Sequence, residues 1–278
     1  MSVELKSDEF ARVLPLYRAA GACFPIISAV IQRRQRGQVF ADRRESPASA
    51  FVVTNFGFAL YLGDEGKVEF DEGLARLLAA GDAFRPSYLL WYAPPALWQA
   101  GLDALGSDLV RRRERVRFEF REERAAWLSE RVECPDGFEL KPLSAELIPK
   151  TEKFGVKLDS RFWASAADFV ENSLGVCLLK DGEVASLCYA AAVADGLAEV
   201  DVVTDAEFRG RGLASVVTRQ FIKECLRRGV APTWDCFEYN AGSMRLAEKT
   251  GFVESRRYAL YSFNVPINLE GDAVEAIT

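Results

Sequence analysis

The sequence predicts an α/β (α+β) protein of two domains. A smaller mixed α/β domain covers residues 1–134, and a second domain, 135–278, has a mixed, mainly antiparallel sheet flanked by helices. Three observations carry this expectation. At 278 residues, 49% hydrophobic and 27% charged, the chain has the composition of an ordinary globular protein, and its length suits two domains of roughly 100 to 200 residues each. Cys134-Pro135-Asp136-Gly137 punctuates the middle with turn-forming residues. In the second half the tight-turn pairs Asp181-Gly182 and Asp195-Gly196 separate apolar, β-branched runs, so that hairpins feed a strand, a glycine turn and a helix.

In the first domain, residues 8–18 have helical spacing through Phe10, Val13, Leu14 and Tyr17. Pro25 suits the first turn of a helix over 25–36, with Arg33, Arg34 and Arg36 near its negative end and Gly37 beyond it. Val39-Phe40 reads as a strand. Residues 50–62 are rich in β-branched and aromatic side chains and end at Gly63-Asp64-Glu65-Gly66. Asp71 is placed to cap a helix over 72–80, with Leu74, Leu77 and Leu78 on one face. A strand over 87–92, a helix from Pro95 to about 105, and a strand holding Val116, Phe118 and Phe120 complete the domain. Arg111, Arg112, Arg113, Arg115 and Arg117 interleave with those apolar residues, a pattern that favours the wet face of a strand over a phosphate grip. Trp91, Tyr92 and Trp98 around Pro94-Pro95 read as sheet-edge packing rather than as the lining of an acceptor pocket.

The second domain opens with a strand at 138–140, a helix over 144–151 and a further helical stretch over 161–173 carrying Phe162, Trp163, Phe169 and Val170. Strands over 175–179, 184–192 and 198–204 follow, joined by the two tight turns. In the next helix Leu213, Val216, Val217, Phe221, Cys225 and Leu226 recur at steps of three and four, and Gly229 stands at the expected C-cap. A buried strand at 233–237, a short helix opened by Asn240 and stopped before Gly251, and a last strand over 257–265 end the domain. The tail after Pro266 reads as loose.

Composition narrows the function. A net charge of −6 argues against a general nucleic-acid binder. No apolar run approaches the ~18 residues of a membrane span, and the polar start MSVELKSDEF is unlike a signal peptide. A cytoplasmic protein without a membrane partner is expected. Histidine is absent, which removes Ser-His-Asp, Cys-His and HExxH chemistry, and no metal site is expected. The six cysteines lack any CxxC spacing and read as small buried residues. Acid–base work falls to carboxylates, tyrosine, cysteine, lysine, an amino terminus or water.

The turn Arg209-Gly210-Arg211-Gly212 has chemical meaning. The first N–H groups of a helix lack partners within it, and the helix dipole adds positive potential there. Two glycines keep Cβ atoms away, so a phosphate can approach, and Arg209 and Arg211 add charge. The third glycine of a dinucleotide fingerprint is Ser215 here, and the Lys-Ser/Thr of a P-loop is Leu213-Ala214. What remains is Arg-x-x-Gly-x-Ala from Arg209 to Ala214. It resembles motif A of the GNAT acyltransferase superfamily. Asn240-Ala241-Gly242-Ser243, followed by Glu248-Lys249-Thr250-Gly251-Phe252, resembles the closing half of the same domain. The order of elements in the first half is similar to the subgroup with its own N-terminal α/β domain, which includes zwittermicin-type self-resistance acetyltransferases.

The resemblance implies acetyl-CoA (coenzyme A) as acyl donor. Val202, Val203 and Thr204 would border the pantetheine arm in a gap between splayed strands, bonded as an added strand would be. Arg209, Gly210, Arg211, Gly212, Leu213, Ala214 and Ser215 would hold the diphosphate, and Asn240, Ser243 and Lys249 would complete the site. The acceptor implied is a primary amine of a small molecule, with the first domain a candidate for the acceptor side. An acyl carrier protein stays open as an alternative donor, and monomer and homodimer both stay open. Glu199 and Asp201 share one face of the pre-turn strand. Glu199 is the candidate base, a merely exposed strand carboxylate being the competing reading. The tyrosine that protonates the leaving thiolate in many relatives falls at Ala247. Tyr258 is the candidate replacement, beside Tyr261, Tyr239 and solvent. Cys236 reads as a buried strand residue rather than an acylated nucleophile, having no histidine partner. A thioester-binding module with little or no turnover is the alternative function.

Overall fold

The computed structural model describes residues 2–263 apart from 22–23, 65, 67, 81–82, 105–109 and 159–161. In chain order its elements are β1 (Val3–Glu4), α1 (Leu14–Ala19), α2 (Pro25–Ile31), β2 (Gly37–Ala41), β3 (Ser49–Thr54), β4 (Phe58–Gly63), α3 (Val68–Ala80), β5 (Leu89–Tyr92), α4 (Ala96–Ala104) and β6 (Val110–Phe120). There follow β7 (Glu139–Pro142), α5 (Ala166–Asn172), β8 (Gly175–Lys180), β9 (Glu183–Ala194), β10 (Leu197–Thr204), α6 (Leu213–Arg227), β11 (Ala231–Phe237), α7 (Ala241–Lys249) and β12 (Phe252–Phe263). The result is a mixed α/β fold whose large mixed sheet is flanked by helices, as the sequence predicts. Among the described residues no helix is long and apolar enough to cross a membrane.

Two compact units form. One runs to Glu114 and takes the chain up again from Tyr258; the other holds Arg115–Arg257. The division therefore falls inside β6 and β12, whereas the expected boundary lay at 134/135. Strand pairing decides which residues cluster, and the turn beginning at Cys134 is a connection within the second unit.

In the first unit β1 to β4 form an antiparallel meander, β5 joins β4 in parallel, and the end of β12 pairs antiparallel with β5. Here β2, β3 and β5 are buried on both faces, so their sequences are continuous apolar runs rather than alternating ones. The run at 50–62 is broken into β3 and β4 by Gly57 at φ 99°, where an added Cβ would lie 2.7 Å from the Tyr88 carbonyl oxygen. Helix α2 stops at Ile31 rather than at 36, because Arg33 turns left-handed at φ 60°. Helix α3 begins at Val68, so Asp71 lies inside its first turns and does not cap it. Its carboxylate instead accepts from Tyr61 Oη at 2.9 Å and from Trp98 Nε1 at 3.4 Å.

In the second unit β7 to β10 form an antiparallel meander, β11 joins β10 in parallel, and residues 115–119 of β6 pair antiparallel with β11. Asp181, Gly182, Asp195 and Gly196 all have positive φ, the signature of the expected tight hairpins. The predicted helix at 144–151 is a 3₁₀ segment, Ile148–Phe154, ended by left-handed Gly155. The helical stretch expected over 161–173 becomes α5, with Ser165 as its cap. Leu213, Val217, Phe221 and Cys225 of α6 pack on Ala198, Val200, Val116, Phe118, Trp234 and Cys236. The described part of the last strand starts at Phe252 rather than 257, and its predicted end at 264–265 and the tail lie outside the described residues.

The other face of that sheet is not wet. Arg115 and Arg117 are only 2% and 3% exposed, against the expectation of a solvated strand. Their guanidinium Nε atoms meet Asp235 at 2.6 and 3.0 Å, Arg115 also donates to the Asp235 carbonyl at 2.7 Å, and its guanidinium lies 4.7 Å over the Phe237 ring. Over residues 115–118 of β6 alternation separates two buried environments, one apolar and one ionic, while Arg111 and Arg112 are exposed as expected.

The two units repeat one plan that the sequence did not disclose. In each, an antiparallel meander leads through a helix, α3 or α6, to a parallel strand, β5 or β11, and then to a second helix, α4 or α7. The antiparallel neighbour of that parallel strand comes in each case from the other half of the sequence, β12 beside β5 and β6 beside β11.

Candidate active site

Strands β10 and β11 pair only through Leu197↔Ala231, Ala198↔Pro232 and Glu199↔Thr233. Beyond this β10 carries on against β9 as far as Thr204↔Ser186, after a β-bulge between Glu199 and Val200. From Val200 onward, therefore, the β10 edge that faced β11 is open, which is the predicted splay.

Just past the strand, Asp205 Oδ1 accepts the Glu207 N–H at 3.2 Å and caps a short 3₁₀ turn. Arg209 Nε donates to the Thr204 carbonyl at 3.3 Å. Gly210 and Gly212 follow at φ 77° and 79°, and a Cβ at either position would meet nothing within 4 Å. Backbone conformation, not packing, demands glycine here, and the space a side chain would fill is left open above the turn. Helix α6 starts with Gly212 as N-cap, no capping side chain and no acid in its first turn. Among the described residues the N–H groups of Leu213 and Ala214 have no backbone acceptor, so the positive end of the helix is unopposed. A diphosphate fits this cradle by charge and by space.

Asn240 stands opposite, at the start of α7, where its Oδ1 accepts the Ser243 N–H at 2.9 Å. Ser243 Oγ in turn accepts from Trp234 Nε1 at 2.9 Å. These groups bound one cleft of about 830 Å³. Val202, Val203 and Thr204 line it from β10, while Arg209, Gly210, Gly212, Leu213, Ala214 and Ser215 line it from the turn. Asn240 and Ser243 line it from α7. Of the expected donor residues, Arg211 and Lys249 do not. Arg211 is exposed and lies 5.3 Å over the Phe208 ring, and Lys249 is exposed at the far end of α7.

The wall also holds Lys153, Phe154 and Asp205, which the sequence did not single out, and Tyr239, which it offered only as a possible acid. Lys153 Nζ donates to Asp205 Oδ2 at 2.7 Å and sits 5.1 Å over the Phe154 ring. The hydrogen bond from Lys153 is the main reason the Asp205 carboxyl titrates below its ordinary range. These residues belong to irregular segments with no motif spacing to mark them.

Glu199 is 5% exposed, which removes the reading of a solvated strand carboxylate. It is the last β10 residue paired with β11, and its neighbours Ala198 and Val200 belong to the core under α6, so its side chain points to the opposite face. Asp201 shares that face, as expected, and accepts a hydrogen bond from Tyr189 Oη.

The tyrosines divide. Tyr258 belongs to the first unit, where its ring meets Phe24 and Tyr92 edge-on at 5.4 and 5.8 Å; it is not among the residues lining the cleft. Tyr261 is buried and donates to Asp103 at 2.7 Å. Tyr239 is 54% exposed and stacks on Phe237 at 5.1 Å. Ala247 is wholly buried in the α6 core. Cys236 is wholly buried too, and burial pushes its thiol pKa up, the opposite of an activated nucleophile.

Comparison with known proteins gives the same direction. A family model for GNAT acetyltransferases matches residues 19–261. YdfB of Bacillus subtilis, an uncharacterised N-acetyltransferase, is 26% identical over 239 residues, which cover 86% of this chain and 90% of that protein. Among solved structures, a GCN5-related N-acetyltransferase-like protein from Streptococcus suis aligns with a TM-score of 0.72 at 24% identity, over 92% of this chain and 98% of that one. A tandem GNAT protein from the clavulanic acid biosynthesis pathway aligns with a TM-score of 0.66 at 14% identity, over 96% and 99%. At such identities these structures establish a shared fold.

Proposed function

This chain belongs to the GNAT acetyltransferase family, and on that premise we propose that it moves an acetyl group directly from acetyl-CoA to a primary amine of a small molecule. The observation that carries the reading is the parting of β10 and β11 beyond Glu199, leading along an open strand edge to a glycine turn whose free space and unpartnered amides suit a diphosphate. The open edge of β10 takes the amides of the pantetheine arm and fixes the thioester near the point of divergence.

Glu199 takes a proton from the ammonium form of the acceptor, directly or through one water. The freed amine nitrogen attacks the thioester carbonyl carbon, whose oxygen is stabilised by a backbone N–H. The tetrahedral adduct gives up the second nitrogen proton to solvent and collapses with cleavage of the C–S bond, and the departing thiolate takes a proton from Tyr239 or from solvent. Tyr239 takes this role because it is the tyrosine that lines the cleft.

Thiol release over an amine panel tests the transfer itself. If acetyl-CoA binds and no amine is acetylated, the domain is a thioester-binding module. Glu199→Gln should lower kcat by about 100-fold, the usual share of a general base, with donor affinity unchanged by calorimetry; full activity would remove Glu199 from the base role. Tyr239→Phe should cost about tenfold in kcat, a smaller share because a thiolate leaves readily without help. A donor with a more acidic leaving thiol should shrink that deficit, and equal deficits with both donors would rule Tyr239 out as the acid.

A further inference from the structure

The ion pair between Lys153 and Asp205 in the wall of the cleft has no role in the chemistry described so far. Lys153 is the last residue but one of the 3₁₀ segment Ile148–Phe154, a part of the chain remote in sequence from the glycine turn, yet it lines the same cleft as Gly210 and Ala214. Its ammonium is held by Asp205, at 2.7 Å, with side-chain exposures of 37% and 26%. Asp205 cannot leave, because its other oxygen caps the turn through Glu207 N–H and its own N–H is bonded to the Ala185 carbonyl at 2.9 Å. Lys153 is the mobile partner, four methylenes long and three-donor, so it can serve two oxygens at once.

The charge balance makes the pair more than a surface bridge. Without Lys153, the carboxylate of Asp205 would stand unneutralised in the wall of the cleft that holds the glycine turn and would repel an anion there. With Lys153 in place that charge is neutralised, and the ammonium still has N–H groups to offer an incoming phosphate. We propose that Lys153 is a donor-binding residue, contributed from outside the glycine-turn motif, that neutralises Asp205 and shares its ammonium with the diphosphate of the acyl-CoA. This rests on the reading of the cleft as the donor site and adds a residue and an electrostatic role to it. The ligand class it selects is a thioester bearing phosphate, in preference to a bare pantetheine thiol.

The test is calorimetric titration of the native chain, Lys153→Met and Asp205→Asn with coenzyme A and with pantetheine, which lacks the diphosphate. Lys153→Met should weaken coenzyme A by about tenfold, the scale of a charge-assisted hydrogen bond, and leave pantetheine unchanged. Asp205→Asn should keep or raise the affinity for coenzyme A, since the lysine is then free for phosphate. Equal weakening of both ligands by Lys153→Met would overturn the proposal, as it would show only a structural tie between two wall segments. No change for either ligand would overturn it too. Failure of the native chain to bind coenzyme A would instead sink the donor-site reading itself.

Discussion

Gly212→Glu should abolish donor binding, lowering the affinity for acetyl-CoA by at least about 100-fold in a calorimetric titration. Gly212 has φ 79°, a conformation that costs a residue with a Cβ about 1–2 kcal/mol, so some stability is lost. The fold survives, because a side chain there meets nothing within 4 Å and α6 is held by its buried face of Leu213, Val217, Phe221 and Cys225. Binding does not survive. The new carboxylate enters the space the phosphates need and brings like charge to the helix end that attracts them; at about 1.4 kcal/mol per decade, 100-fold is about 2.8 kcal/mol. A variant that binds as the native chain does would show that the donor lies elsewhere.

Asp235→Ala should produce the largest loss of stability, about 3–5 kcal/mol by urea unfolding, the range for breaking a buried ion pair from one side. Arg115 and Arg117 have side chains 2% and 4% exposed, and both pair with this one carboxylate, itself 1% exposed. Removing it takes away a negative charge shared by two like charges in a poorly solvated place. Replacing all three residues by apolar ones of similar volume should recover most of the loss. A cost below about 1 kcal/mol for the single change would mean that the guanidinium groups are supported mainly by other partners.

The cleft between β10, the glycine turn and α7 was legible because its signals are local. A strand, a glycine turn and an amphipathic helix occupy consecutive residues, and Asn240 with Ser243 follows at short range. The buried arginines were not legible, since Arg115 and Arg117 meet Asp235 across more than a hundred positions of sequence. An alternating strand looks the same on paper whether its charged face meets water or a buried carboxylate. Lys153 and Phe154 were missed for a related reason: the 3₁₀ segment that carries them has no periodicity, and only the fold brings it to the cleft. Tyr258 is a short distance along the chain from the Asn240 motif, yet it clusters with the first unit and is not among the residues lining the cleft.

The crossed origin of the strands beside β5 and β11 bears on how the chain matures during translation. Leu89–Tyr92 emerges from the ribosome early, but residues 260–263, which cover its open edge, are made only after the whole stretch Arg115–Arg257. The nascent first unit therefore waits with backbone donors and acceptors of β5 exposed until Arg115–Arg257 has been made. Residues 115–119, by contrast, are already present when β11 appears. The order of synthesis thus favours completing the second unit at β11 before the first can close, reversing the N-terminal-first sequence usual for multidomain chains. It also makes a chain cut at residue 134 an incomplete folding unit, with an unpaired strand edge available for association with other chains.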